Sequence, residues 1–183
     1  MRFRDIPRYT RVGSYAVNMS LEFLDEWIEN KKREMNLQMS PDFQRAHVWT
    51  EEQQVKFVEF ILRGGQSGRD LYFNHPGWMG SFAGEFVCVD GKQRITAIQR
   101  FLNNEISVFG QFYKDFGEPT SELDHSMVVH VNNLQTRAEV LQWYIEMNEG
   151  GTPHAESEIE RVKAMLEAET RQSQGQRSMM MGM

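Results

Sequence analysis

The run Phe86-Val87-Cys88-Val89, followed at once by Asp90-Gly91 and then by apolar residues at helical spacing, constrains this chain more than any other stretch. Four consecutive apolar residues ended by a chain-breaking pair fit a strand buried on both faces, with no solvent side to alternate towards. From Lys92 to Leu102 the apolar positions Ile95, Ile98, Phe101 and Leu102 recur with the period of one helix face, and Asn103-Asn104 closes the element. The reading is strand, tight turn, helix.

The flanking sequence supplies the rest of a fold. Tyr15 to Met19 alternates enough for a short strand, and Ser20 caps a helix carrying Leu21, Leu24, Trp27 and Ile28, which the polar run Glu29 to Glu34 ends. Leu37 and Met39 alternate with polar neighbours, and Pro41 to Trp49 reads as an extended loop because proline disfavours helix in the residue before it. Thr50-Glu51-Glu52-Gln53 is a capping box for a helix with Val55, Val58 and Leu62 on one face, stopped by Gly64-Gly65. Leu71-Tyr72-Phe73, Ile106 to Tyr113 and Met127 to Val131 read as further strands, with loops at Pro76-Gly77 and Gly117-Glu118-Pro119. Thr136-Arg137-Ala138-Glu139 caps a helix through Val140, Leu141, Tyr144 and Met147 that Gly150-Gly151 ends; Thr152-Pro153 begins another, striped by Ile159, Val162 and Leu166. Arg171 to Met183 loses this periodicity and is expected to be a disordered tail. These elements make an α+β chain, with one domain over residues 1–170, of which 136–170 is the helical part.

At 183 residues, 40% hydrophobic and 25% charged, the chain can close one core without staples. Cys88 is the single cysteine, which excludes an intramolecular disulfide, a cysteine-based zinc site and a CxxC redox pair. The five histidines show no metal-ligand spacing. No signal-type apolar segment opens the chain and no apolar run is long enough to span a bilayer, so a cytoplasmic protein without a membrane partner is expected. A net charge of -6 argues against charge-driven coating of DNA. Arg2, Arg4, Arg8 and Arg11 crowd the start as a candidate basic arm, although scattered charge on a solvated terminus is the plainer reading.

Two stretches carry candidate chemistry. A helix start leaves backbone N–H groups without partners and adds a partial positive charge, so a strand turning through Gly91 into a helix can hold phosphate. Arg94 in the first turn offers a guanidinium fork and Lys92 a second cation. Asp90 makes sense beside a phosphate if it binds magnesium, orients a water, or contacts a ribose or base. On spacing alone the stronger reading is a helix cap: Asp90 with Gln93 fits an N-cap and its N3 partner, and Arg94 can pair with a nearby carboxylate. In the second stretch, Gln44 and Arg45 can contact a base edge or phosphate and Trp49 can stack on a base, while packing of Phe43, Val48 and Trp49 onto the core fits equally well.

Taken together, Pro-Asp-Phe-Gln-Arg at 41–45, Trp49, and Val-Asp-Gly-Lys-Gln-Arg at 89–94 followed by Thr96-Ala97-Ile98 resemble the GmrS-type N-terminal domain of the GmrSD type IV modification-dependent restriction endonucleases, related to the ParB N-terminal domain and to sulfiredoxin. The likeness runs from about Tyr15 to the turn at residues 148–152 and the helix carrying Glu158, Ile159 and Arg161. It implies a ParB/sulfiredoxin-like mixed sheet flanked by helices, and binding of a nucleoside triphosphate with magnesium, with hydrolysis that powers or gates DNA cleavage. Carried over by position, Asp90, Gly91, Gln93 and Arg94 match the family's turn, and Gln44 with Arg45 its upstream loop; Lys92 stands where the family usually has Gln. In that reading Gly91 and Arg94 clamp phosphates, Gln44 and Arg45 close the other side, and Asp90 organises the metal or a water. The family's larger members continue into a nuclease domain, so a nuclease or other protein acting in trans is the expected partner. Two rivals remain open: a ParB-like module that binds or nicks DNA, and a non-enzymatic protein that docks on a larger nucleic-acid complex and regulates it.

Overall fold

The computed structural model describes residues 2–6, 15–44, 49–123, 126–149 and 156–181. Four strands, β1 (Tyr15–Met19), β2 (Asp70–Asn74), β3 (Val87–Asp90) and β4 (Met127–Asn132), form one sheet in the order β1-β4-β2-β3. β1 runs antiparallel to β4, β4 parallel to β2, and β2 antiparallel to β3. The helices are α1 (Leu21–Met35), α2 (Glu51–Leu62), α3 (Lys92–Leu102), α4 (Arg137–Glu149) and α5 (Glu156–Met181).

Local signals start the helices where expected. The Ser20 hydroxyl accepts from the Phe23 N–H at 3.3 Å. Thr50 and Gln53 cap each other reciprocally, at 2.8 and 3.3 Å, as do Thr136 and Glu139, at 3.0 and 3.2 Å. α1 does not stop in its polar run but continues to Met35, where Asn36 turns into the left-handed region at φ 51°. The run is a solvent-facing stretch of good helix formers, with Lys32 bonded to Glu29 at 2.6 Å, and Asn rather than polarity ends the helix.

β3 is buried on both faces, as its composition requires. Phe86 and Cys88 join Leu24, Ile28, Ile61 and Ile95 in a core under α1, α2 and α3. Val87 and Val89 join Leu141, Tyr144, Ile159 and Val162 under α4 and α5. A polar side chain in this strand has no wet face to turn to, and each fully buried apolar side chain contributes roughly 1.5–3 kcal/mol. The strand's outer edge is covered by Gln38, which accepts from the Cys88 N–H at 2.9 Å and donates to the Phe86 carbonyl at 2.8 Å.

The expected strand from Ile106 to Tyr113 is absent. Its alternating residues Ile106 and Val108 are buried in a separate cluster with Val58, Ala97 and Phe101. Phe109 and Gly110, at φ 53° and 76°, fold the chain back so that Val108 bridges only to Gln111, and a short 3-10 turn follows at Tyr113–Asp115. α5 carries helical backbone to Met181, past the expected stop near Arg171; Arg, Gln and Met are good helix formers even where no apolar stripe remains. The helix start expected at Thr152-Pro153 lies outside the described residues. The whole is the α+β, ParB-like arrangement expected: a mixed sheet with helices on both faces.

Candidate functional site

The end of β3 departs from regular pairing at a point that matters. Val87 and Val89 face α4 and α5, so strict alternation would put Asp90 with Cys88 on the opposite side. The register with β2 instead shifts between Tyr72 and Phe73: Phe73 pairs with Cys88 but Tyr72 pairs with Asp90. The extra residue re-aims Asp90 alongside Tyr72, whose hydroxyl pKa is raised by burial first and then by the charges of Asp70 and Asp90.

Gly91 then turns the chain at φ 110° and ψ 0°. A Cβ there would lie 2.5 Å from Leu71 Cδ2, so both the backbone angle and the underlying strand demand glycine. α3 begins with no side-chain cap. The Asp90/Gln93 capping pair does not form, because Gln93 Oε1 accepts from the Trp49 N–H at 2.8 Å. Arg94 pairs with the Asp90 carboxylate and reaches the Gly68 carbonyl through Nη1 at 3.4 Å. Carboxylate pairing of Arg94, the plainer of its two sequence readings, is therefore present. Lys92, beside it, has no ion-pair partner among the described residues.

The loop before α2 is fastened to this turn at both of its described ends. Gln44 Nε2 donates to the carbonyls of Cys88 and Val89 at 3.0 and 2.9 Å, which fixes its amide orientation and leaves Oε1 buried without a partner. Arg161 donates to the carbonyls of Asp42 and Phe43 at 2.8 and 2.9 Å, and Arg137 grips the Asp42 carboxylate at 2.7 and 2.8 Å. Trp49 tilts against Phe57 with 5.4 Å between ring centroids. Arg45 lies outside the described residues.

Gln44, Trp49 and Asp90 through Arg94 line one cleft of about 340 Å³. Val89 of β3 also lines it, and so do six residues from elsewhere: Phe57 and Phe60 of α2, Ser67 and Gly68 of the following loop, and Tyr144 and Asn148 of α4. Sequence reading missed these six as lining residues; the glycines around Ser67, and Asn148 just before Gly150-Gly151, were the available signals. Aromatic rings and a cationic, glycine-turned end meet in a volume suited to a small ligand. Among the described residues, Asp90 is the one carboxylate in the lining, and no three His, Cys, Asp or Glu side chains gather as a metal group. The site therefore fits magnesium only as an ion held by one carboxylate, waters and the ligand's own phosphates.

Other candidates separate from the cleft. Burial pushes the Cys88 thiol up to about 12, so no thiolate nucleophile is available. His75 is buried, its Nδ1 accepting from the Gly77 N–H at 3.0 Å, and His130 stacks on Tyr72 and lies 2.7 Å from the Asp70 carboxylate. His47, His125 and His154 lie outside the described residues. Arg2 pairs with Asp5 at 3.1 Å, while Arg8 and Arg11 of the candidate arm lie outside the described residues. No described helix is long and apolar enough to cross a membrane.

Fold and cleft together define an α+β domain of ParB-like type, with a polar strand-to-helix turn closing one end of an aromatic-walled cleft. The chain belongs to the family of GmrSD restriction endonuclease N-terminal domains, whose sequence model matches residues 24–125, more than half its length. That span holds Gln44, Trp49 and the whole Asp90–Arg94 turn; Tyr144 and Asn148 lie beyond it. Membership ties the chain to restriction. No curated protein and no solved structure matches it.

Proposed function

We propose that the cleft binds a nucleoside triphosphate with magnesium and that this binding gates restriction by a nuclease, in the same polypeptide or in trans. The observation that carries the reading is the convergence, in one cleft, of an uncapped helix start, Lys92 and Arg94 with the rings of Trp49, Phe57 and Phe60. The phosphates meet Lys92, the Arg94 fork and the first N–H groups of α3, whose partial charge favours anions. The base lies against the aromatic wall. Magnesium, when bound, neutralises phosphate charge, with Asp90 as its protein ligand. Gln44 and Gln93 act indirectly, holding the loop ends that border the cleft.

Thermal unfolding with ATP, GTP, CTP and UTP, each with magnesium, tests the reading. A ligand at about 100 times its Kd stabilises by ~2.7 kcal/mol, or about 5–11 °C for a domain of this size. At least one nucleotide should give such a rise in wild type and much less in Arg94→Ala. No rise with any of the four removes the proposal.

A further inference from the structure

A second cavity, of about 210 Å³, opens where the chain between α3 and β4 folds back against the ends of α2 and α3, and it shares no lining residue with the nucleotide cleft. Bonds of that segment set its shape. The Phe109 N–H donates to Glu59 of α2 at 3.2 Å, the Lys114 N–H to the Asn104 side chain at 2.8 Å, and the Phe112 N–H to Asp115 at 3.2 Å. Four rings line the cavity: Phe101, Phe109, Tyr113 and Phe116. Tyr113 and Phe116 meet Phe101 at 72° and 84°, with centroids 5.5 and 5.8 Å apart. The faces of such rings carry the negative part of the aromatic quadrupole. One of these rings already holds a cation: the Arg63 guanidinium, outside the lining, lies over Phe109, 5.0 Å from its centroid.

The carboxylates around this cavity add charge of the same sign. Glu22 of α1 accepts from the Tyr113 hydroxyl at 2.7 Å, from the Thr120 N–H at 2.5 Å and from the Thr120 hydroxyl, and Tyr113 and Thr120 both line the cavity. Burial opposes ionisation of Glu22, but these hydrogen bonds outweigh it and hold its carboxyl below the ordinary value, so it is an anion at neutral pH. Glu118, exposed, stands in the lining itself. Among the described residues neither carboxylate has a cationic partner. A carboxylate held behind an aromatic wall by neutral donors leaves its charge to act on the cavity, where apolar surroundings screen it weakly. A neutral ligand would use the rings alone, and a hard divalent ion needs an oxygen cage that these rings do not supply. An organic cation uses both the rings and the charge. A volume below the roughly 300 Å³ of drug-sized sites limits it to a small head group.

We propose that this cavity binds a small methylated ammonium compound, its methyl groups against the four rings and its charge balanced by Glu22 and Glu118. NMR titration of the full chain with choline, and with the neutral isostere in which carbon replaces the ammonium nitrogen, tests it in wild type, Glu118→Gln and Phe116→Leu. Glu118 is exposed and Phe116 partly so, and thermal unfolding checks that both variants keep the fold. In wild type, choline should bind at least about tenfold more tightly than the isostere, the scale of a partly desolvated cation–π contact. Glu118→Gln should weaken choline alone, and Phe116→Leu should weaken choline more than the isostere. No binding of choline, equal binding of the two compounds, or a preference that neither variant moves overturns the proposal. None of these results bears on the nucleotide cleft, which the nucleotide titrations test by themselves.

Discussion

Gly91→Ala probes how the site is built, because two separable costs meet at that position. The first is conformational: an L side chain at φ 110° costs roughly 1–2 kcal/mol. The second is steric. The new Cβ would lie 2.5 Å from Leu71 Cδ2, and because Leu71 is fully buried in β2 its side chain must shift within a packed core. Overpacking of this kind costs roughly 1–3 kcal/mol. The sum, about 2–5 kcal/mol, is a large share of the roughly 5–15 kcal/mol that holds a domain together. At roughly 2–4 °C per kcal/mol, the melting temperature should fall by about 4–20 °C.

Gly110→Ala is the matching control. Its φ is 76°, but a Cβ there meets nothing within 4 Å, so only the conformational cost applies. The difference between the two variants, measured by calorimetry or urea titration, isolates the clash with Leu71. Leu71→Val removes the colliding methyl for about 1 kcal/mol on its own, so the double variant Gly91→Ala/Leu71→Val should be more stable than the sum of its parts predicts. If Gly91→Ala costs no more than Gly110→Ala, and Leu71→Val gives no relief, the claim that β2 dictates this glycine is wrong.

Three further outcomes follow from the contacts. Gln44→Leu removes both donors from the Cys88 and Val89 carbonyls, and urea titration should show a loss of roughly 1–3 kcal/mol. His75 has its pKa lowered below 6.5 by burial, so the unfolded chain binds the extra proton first; its contribution is full above pH 6.5 and falls as pH drops towards the folded pKa, and His75→Gln should flatten that part of the stability–pH curve. Magnesium and nucleotide should raise each other's affinity in wild type and lose most of that coupling in Asp90→Asn, and titrations of one at fixed levels of the other will show whether they do.

What was legible in the sequence was local. The capping boxes at Thr50 and Thr136 and the buried run before Asp90 each carry their reason within a few residues, and each stands where expected. The errors came where two structures share one local pattern. Ile106 and Val108 alternate like a strand, yet both enter a small cluster between α2 and α3 while Phe109-Gly110 reverses the chain. Asp90 and Gln93 have the spacing of a cap, but Gly91 is the N-cap of α3 and Gln93 Oε1 accepts from the backbone of Trp49, 44 residues away. The bulge that re-aims Asp90 depends on the register with β2, which no property of residues 86–90 alone encodes.

Arg94 shows why the two sequence readings of that turn were never exclusive. Its side chain is 17% exposed and that of Asp90 45%, so their ion pair sits at a partly wet surface, where such pairs contribute about 0–1 kcal/mol. A charge-assisted hydrogen bond to an anionic ligand is worth roughly 1.5–3 kcal/mol, and a guanidinium can make two at once to a phosphate. In the nucleotide binding we propose, a phosphate would therefore be the stronger partner, and the partly exposed pair with Asp90 would not prevent the fork from turning to it. Lys92, which has no ion-pair partner among the described residues, would add its charge without that exchange. In that proposal Arg94 passes from a closed ion pair to an anion clamp by exchanging Asp90 for the ligand as its partner.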